Sequence, residues 1–307
     1  NPMKHLLSNA VIVWRTWRRL RRYPGLFSWN DAAMHLNRVV LPTRFHHWRA
    51  GAALRRETQM QQEDGAVWRV TLRRDGLVFF WLGQPTDNLW YLIEQEIDTR
   101  APHCYTTPPI ELEPDSVVLD VGACEGLFAF RIARSGRARR VICFEPSAAM
   151  ADLIRRGAEA NGVPSMIEVE TLAVGCQSGP VSFTPSQWAD TGSVQPGAAG
   201  AVRVEAVSLD DYCRSHRIEL KPQDLIKIDA EGSDLDVLRG AEGIIKRAGP
   251  QIAVTTYHAD AHSEQIVDWL RQTQPSYTMR LKGFAFWTPR PRPVLLQASL
   301  GVMPQSG

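Results

Sequence analysis

The stretch Val117-Val118-Leu119-Asp120-Val121-Gly122-Ala123-Cys124-Glu125-Gly126 restricts the fold of this 307-residue chain more than any other. A short apolar run ends in an acidic residue, and glycines then lead straight into the helical pattern Leu127–Ala133. A strand that turns so abruptly into a helix fits a parallel sheet, whose crossovers are usually helices. The chain beyond repeats the unit. Strands are predicted at Val141–Phe144, Met166–Thr171, Leu225–Ile228 and Ile252–Thr256. Helices are predicted at Ala148–Ala160, from Ser233 to about Arg247, and at Ser263–Gln272. Tyr277–Leu281 and Val294–Leu296 read as a closing antiparallel pair, and the Gly/Ser/Pro-rich residues 175–208 hold short strands at Val181–Phe183 and Val202–Val207. The expectation is an α/β fold on a doubly wound, mostly parallel sheet.

Residues 1–110 are of another kind. Leu6, Ala10, Val13, Trp17 and Leu20 recur at helical spacing within residues 5–22, with Arg15, Arg18, Arg19 and Arg22 on a different face. Further short helical stretches are expected to about residue 60. Val67–Leu72 and Leu77–Leu82, joined through Asp75-Gly76, make a β-hairpin, and Asp87–Ile97 is helical. Ala101–Pro109 is a linker, so the division is an N-terminal region, 1–110, and an α/β domain, 111–307.

Charge divides along the same line. Residues 1–74 carry Lys4 and thirteen arginines against four acids, a net +10 in a chain of net +2, and seven of the ten tryptophans precede residue 91. Four readings stay open for this surface: contact with an anionic membrane, a lid or oligomer contact, contact with nucleic-acid phosphates, or a solvated arginine face over a small apolar core. No recognisable nucleic-acid module accompanies it, which disfavours that partner. No apolar run is long enough for a membrane span. The five cysteines form no C-x-x-C pair and the opening residues show no secretory pattern, so a cytoplasmic protein is expected, with a membrane-peripheral location as the alternative.

The glycine loop has its own chemistry. Gly122 and Gly126 let the backbone approach a ligand, and the helix beyond presents free N–H groups. A dinucleotide would call for G-x-G-x-x-G around its pyrophosphate. The pattern here is D-x-G-x-x-x-G, and Asp120 repels a pyrophosphate but suits a ligand bearing an ammonium group. S-adenosylmethionine bears one and is the expected cofactor. Glu145 follows the next strand, roughly twenty residues past the loop, where a carboxylate can accept from both ribose hydroxyls.

Several motifs together resemble the FkbM family of S-adenosylmethionine-dependent methyltransferases over residues 112–298. They are D-V-G-A-x-x-G at Asp120–Gly126, F-E-P at Phe144–Pro146, S-L-D-D-Y at Ser208–Tyr212, I-K-I-D-A-E-G at Ile226–Gly232 and V-L-R-G-A at Val237–Ala241. The resemblance implies a class I, Rossmann-like methyltransferase fold with a seven-stranded sheet. It also implies methylation of hydroxyl groups on sugars, glycolipids or polyketides. Carried over by position, Asp120, Gly122 and Gly126 line the methionine end, with Ala123 and Cys124 in the same loop. Cys124 stands where the family usually has Asn. Glu145 binds ribose, and Leu172 and Ala173 lie near adenine.

Catalytic groups are expected at the carboxyl ends of the strands. Asp229 and Glu231 end one strand and Tyr257 and His258 end its neighbour, so Asp229 and His258 should share a crevice beside the cofactor. His258 is assigned as general base, since an unperturbed imidazole is mostly neutral at cellular pH. Asp229 is assigned to orient it or the acceptor and to border the cofactor. No metal site is assigned. Asp229, His258 and Asp260 are the alternative ligands for a Mg2+ ion, because His258, Asp260 and His262 alternate along the chain. The expected function is O-methylation of a small molecule, sugar, glycolipid or polyketide; the rivals are an RNA methyltransferase and a non-catalytic S-adenosylmethionine-binding protein.

Overall fold

A computed structural model describes residues 11, 14, 15, 17, 18, 20–28, 30, 31, 43–184, 193, 194, 202–285 and 291–301. Within the helix expected over 5–22, Val11, Trp14, Arg15, Trp17, Arg18 and Leu20 are helical, and residues 5–10, 12, 13, 16 and 19 lie outside the described residues. Helix α1 (Thr43–Glu57) is followed by strands β1 (Thr58–Asp64), β2 (Val67–Leu72) and β3 (Val78–Leu82), an antiparallel sheet in that order, and by helix α2 (Asn88–Ile97). The hairpin is where its Asp-Gly turn predicts it. Strand β1 is a correction: short helices were expected up to about residue 60. Its sequence, T-Q-M-Q-Q-E-D, is polar because most of the strand faces solvent, so it carries no apolar alternation.

The rest builds one seven-stranded sheet. In chain order come β4 (Val117–Val121), α3 (Leu127–Arg134), β5 (Arg140–Phe144), α4 (Ala148–Ala160) and β6 (Ile167–Glu170). A small sheet follows, made of β7 (Ala173–Val174), β8 (Gly179–Thr184), β9 (Ser193–Val194) and β10 (Val202–Val207) in the order β7-β10-β8-β9. Then come α5 (Leu209–Ser215), β11 (Leu225–Ile228), α6 (Asp234–Arg239), α7 (Glu242–Ala248), β12 (Gln251–Thr255), α8 (His262–Thr273), β13 (Thr278–Phe284) and β14 (Pro293–Ser299). The large sheet runs β13-β14-β12-β11-β4-β5-β6, parallel from β12 to β6, with β14 and β13 antiparallel at one edge.

Both faces of this sheet are covered, which is why its strands read as unbroken apolar runs. Val118, Val141 and Cys143 pack with Leu127 and Phe130 of α3 and Ile154 of α4. Val117, Leu119, Val121 and Ile142 face the other way, toward Leu209, Leu238, Ile245 and Ile266 of α5 to α8. Val70, Phe79, Trp81, Leu89 and Ile93 of the N-terminal region join the first of these cores, so apolar packing continues across residue 110.

The helix expected from Ser233 to Arg247 is two helices broken at Gly240, a second correction. A β-carbon on Gly240 would lie 2.1 Å from the Gly175 carbonyl oxygen, and the Gly240 carbonyl accepts from the Asp210 N–H at 2.8 Å. The Asp210 carboxylate in turn accepts from Gly243 N and Ile244 N at 2.7 and 2.8 Å, satisfying the first N–H groups of α7. No helix among the described residues is long and apolar enough to cross a membrane.

The chain leaves β4 toward β5 and β6, then returns to place β11 on the other side of β4. That reversal opens a crevice at the carboxyl ends of β4 and β11, where ligands of doubly wound sheets bind.

Candidate active site

The crevice is floored by the β4–α3 loop. Gly122 and Gly126 have φ of +73° and +77°, and Cys124, at +50°, shares the left-handed region. Gly122 is sterically required: an added β-carbon would sit 1.9 Å from the Asp229 carbonyl oxygen. The N–H groups of Gly122 and Ala123 both donate to the Phe144 carbonyl, at 3.0 and 3.2 Å, which holds the loop against the end of β5. Glu145 stands beside it. One of its oxygens accepts from Cys124 N at 3.1 Å and the other from Ser147 N at 2.9 Å. Burial raises its carboxyl to about 7 against the pull of those two N–H groups. The Glu145 N–H donates to Glu170 at 3.0 Å, two residues before Leu172; Leu172 is half-buried and Ala173 buried.

Asp120 is in the interior. It has no exposed surface, and its Oδ1 lies 2.9 Å from the Lys227 ammonium, which also donates to the Gly122 carbonyl at 2.7 Å. Burial pushes the Asp120 carboxyl up while Lys227 opposes it. The charge that Asp120 could offer a ligand's ammonium is already matched by one from the protein. The Lys227 charge also faces the rings of Tyr105 and Phe128, 5.2 and 5.9 Å from their centres. A lysine inside the four-residue buried strand L-I-K-I was the one sequence signal for this pair, since a buried charge demands a partner.

The structure brings Asp229 and His258 together. His258 Nε2 lies 3.6 Å from Asp229 Oδ1 and 3.4 Å from Glu231 Oε2, a residue in the left-handed region at φ +47°. The hydrogen bond that orients the imidazole goes elsewhere, from Nδ1 to Asp234 Oδ2 at 2.9 Å. Asp229 Oδ2 accepts from the Tyr105 hydroxyl at 2.8 Å, and the Thr255 hydroxyl lies 3.1 Å from Asp229 Oδ1 and 2.9 Å from Asp234 Oδ1. Burial disfavours the imidazolium, but the hydrogen bond and charge of Asp234, with the charges of Asp229 and Glu231, outweigh it and raise His258 to about 9. The expected neutral imidazole is therefore not its resting state in this cluster.

Two groups of side chains bring three ligand atoms each within 4.8 Å of one another: Asp229, Glu231 and His258, and Asp234, His258 and His262. Asp260 belongs to neither and lies 2.8 Å from the Arg292 guanidinium. Tyr105, Lys227 and Asp234 escaped the sequence reading, which places Glu231 at the strand end beside Asp229 but gives it no role. Only Lys227 carried a signal there, because Tyr105 reaches Asp229 from 124 residues away.

The profile of the methyltransferase FkbM domain matches residues 120–277, just over half of the chain, from the end of β4 through α8. The chain belongs to the FkbM methyltransferase domain family. Among curated relatives, the hexuronic acid methyltransferase AglP of Haloferax volcanii is 25% identical over 166 residues, covering 54% of this chain and 66% of its own length. The 2-O-methyltransferase NoeI of Sinorhizobium fredii is 29% identical over 148 residues, covering 42% and 59%. The chain thus spans less than two-thirds of the length of these relatives. Methyltransferase FkbM from Methylobacillus flagellatus, known from a crystal structure, is similar at 19% identity and a TM-score of 0.44, over 69% of this chain and 54% of its own.

Proposed function

We propose that this chain is an O-methyltransferase that uses S-adenosylmethionine and acts on a hydroxylated small molecule, sugar, glycolipid or polyketide. Membership of the FkbM family supports the reaction type, and the two relatives named above are methyltransferases by name. The observation that carries the cofactor is the pairing of the loop with Glu145. A left-handed, β-carbon-free backbone corner lies against a buried carboxylate whose two oxygens each accept only one N–H, leaving lone pairs for a diol.

S-adenosylmethionine would supply an electrophilic methyl group on a positively charged sulfur. The chain's part is to bind and align it. Gly122, Ala123, Cys124 and Gly126 offer backbone to the methionine end, Glu145 accepts from the ribose hydroxyls, and Leu172 with Ala173 flanks adenine. Asp120 acts through Lys227, whose bond to the Gly122 carbonyl fixes the loop. Asp229 borders both cofactor and acceptor. The acceptor oxygen must shed its proton as it gains the methyl group, and we place that hydroxyl at Asp229 and His258, with the proton passing to Nε2 of His258 in its neutral form. Alignment of this kind is worth about 7–11 kcal/mol in favourable intramolecular cases.

The test is calorimetry with S-adenosylhomocysteine, followed by labelled methyl donor with a panel of hydroxylated sugars, glycolipids and polyketides. Saturable binding that Glu145→Ala weakens, and a labelled product, are expected. Failure to bind the nucleoside removes the assignment. Binding with no turnover on any acceptor favours a non-catalytic role.

The acceptor's setting has a separate clue. Trp14, Trp17 and Trp48 are 53%, 51% and 65% exposed, and the guanidinium groups of Arg18 and Arg21 lie 4.9 and 4.6 Å from the ring centres of Trp14 and Trp17. Exposed indoles flanked by arginines suit the interface of an anionic lipid surface, which a lipid-linked acceptor would share.

A further inference from the structure

The His258 side chain is only 9% exposed, yet its buried Nε2 has no hydrogen-bond partner among the described residues. Nδ1 is committed to Asp234, so Nε2 is aimed at Glu231 Oε2 and Asp229 Oδ1, 3.4 and 3.6 Å away. Two carboxylates turned toward one imidazole nitrogen demand positive charge, which the Nε2 proton supplies in the imidazolium and a divalent cation would supply once it displaces that proton.

We propose that Asp229, Glu231 and His258 bind a divalent cation. As a part of catalysis this rests on the methyltransferase reading; as a binding site it does not. Ligand bonds of about 2.0–2.2 Å place neighbouring donors roughly 3.0–3.6 Å apart, which the two measured separations match. The donors are in part already oriented. Asp229 Oδ2 accepts from Tyr105, Oδ1 accepts from Thr255 and lies on the side of His258, and Asp234 fixes the imidazole through Nδ1, the outer support that metal-binding histidines usually have. One nitrogen with two carboxylate oxygens suits Mn2+ or Fe2+ better than Mg2+, which prefers oxygen alone. Water or acceptor oxygens would complete the shell, and a hydroxyl bound there loses its proton more readily.

The neighbouring group of Asp234, His258 and His262 does not compete. Asp234 already accepts from Ala230 N at 2.9 Å, Gly232 N at 3.2 Å and His258 Nδ1, so its oxygens hold the turn together. Asp260, one of the ligands expected from the alternating spacing, is taken by Arg292, so Glu231 replaces it in the set.

The probe is Mn2+, followed by loss of the free-ion electron paramagnetic resonance signal on adding the whole chain. One ion per chain is expected. Glu231→Gln, at a partly exposed position, should bind at least about tenfold more weakly, while Asp260→Asn binds as the parent does. Melting curves establish that each variant is folded. A folded parent that binds no Mn2+, or a Glu231→Gln variant that binds it equally well, overturns the site. Titrating the same samples with S-adenosylhomocysteine separates the two readings. Mn2+ binding without nucleoside binding keeps the cation site and removes the donor site, and the converse result does the reverse.

Discussion

The two ends of this chain handle positive charge in opposite ways. Lys227 sits in the centre of the large sheet, 4% exposed, clamped between Asp120, the Gly122 carbonyl and two aromatic rings. Arg15, Arg18, Arg21 and Arg22 near the N-terminus are exposed, and Arg22 meets Glu264 at 2.9 Å with 64% of its side chain in solvent. Charge buried in the sheet is held by geometry and specifies the loop; charge on the N-terminal surface is screened by solvent. Removing one partner of a buried pair strands the other, so Lys227→Met should cost about 3–5 kcal/mol in urea unfolding. Adding Asp120→Asn should recover part of that loss. A double variant no more stable than the single would show that Lys227 is held by its rings and carbonyl rather than by Asp120.

The same contrast governs what the sequence reveals. The central parallel strands are legible because they are buried on both faces, and Asp229 and His258 because strand ends converge at a reversal of strand order. What holds those two groups is hidden. Tyr105 and Asp229 are remote in sequence, and Asp234 reaches His258 only because α6 begins beside the end of β12. Gly240 breaks a helix because of a carbonyl 65 residues earlier, at Gly175. Strand β1 lacks any apolar signal because water covers much of it. Local pattern predicts elements; contacts between distant segments decide what the site residues do.

The loop itself is the next point at which to press. Gly122→Ala combines a positive φ with a β-carbon 1.9 Å from a backbone oxygen, which something must move to relieve. A loss of about 2–4 kcal/mol in stability is expected from the two effects together, with nucleoside binding abolished. Gly76→Ala, at φ +67° in the N-terminal hairpin with nothing near its would-be β-carbon, should cost only the backbone part, about 1–2 kcal/mol, and leave binding intact. Equal costs at the two sites would mean that the loop yields more readily than its packing implies.

Glu96 of α2 crosses the divide. It is buried, and burial raises its carboxyl from 4.5 to about 8 despite the attraction of Arg131 and Lys227. The folded chain therefore retains a proton there that the unfolded chain releases above pH 4.5. Its contribution is complete below that pH and is lost as pH rises toward 8. In Glu96→Gln, stability should fall less steeply over this range, by up to about 1.4 kcal/mol per pH unit. An unchanged slope would mean that Lys227 keeps Glu96 ionised, and the acidic interior would then reach into the N-terminal region.

The smallest effects on stability belong to the exposed indoles. Trp14→Ala and Trp17→Ala should each change stability by no more than about 0.5 kcal/mol, and nucleoside binding not at all. Their expected effect is on partition. In cosedimentation with vesicles containing phosphatidylserine, the parent chain should bind and the double variant should bind less, with the parent's binding falling as salt rises. A surface that served only to solvate the chain would give no vesicle binding in either. If instead the double variant unfolded more easily, these rings would belong to the core, and the N-terminal surface would be constrained by packing much as the sheet is.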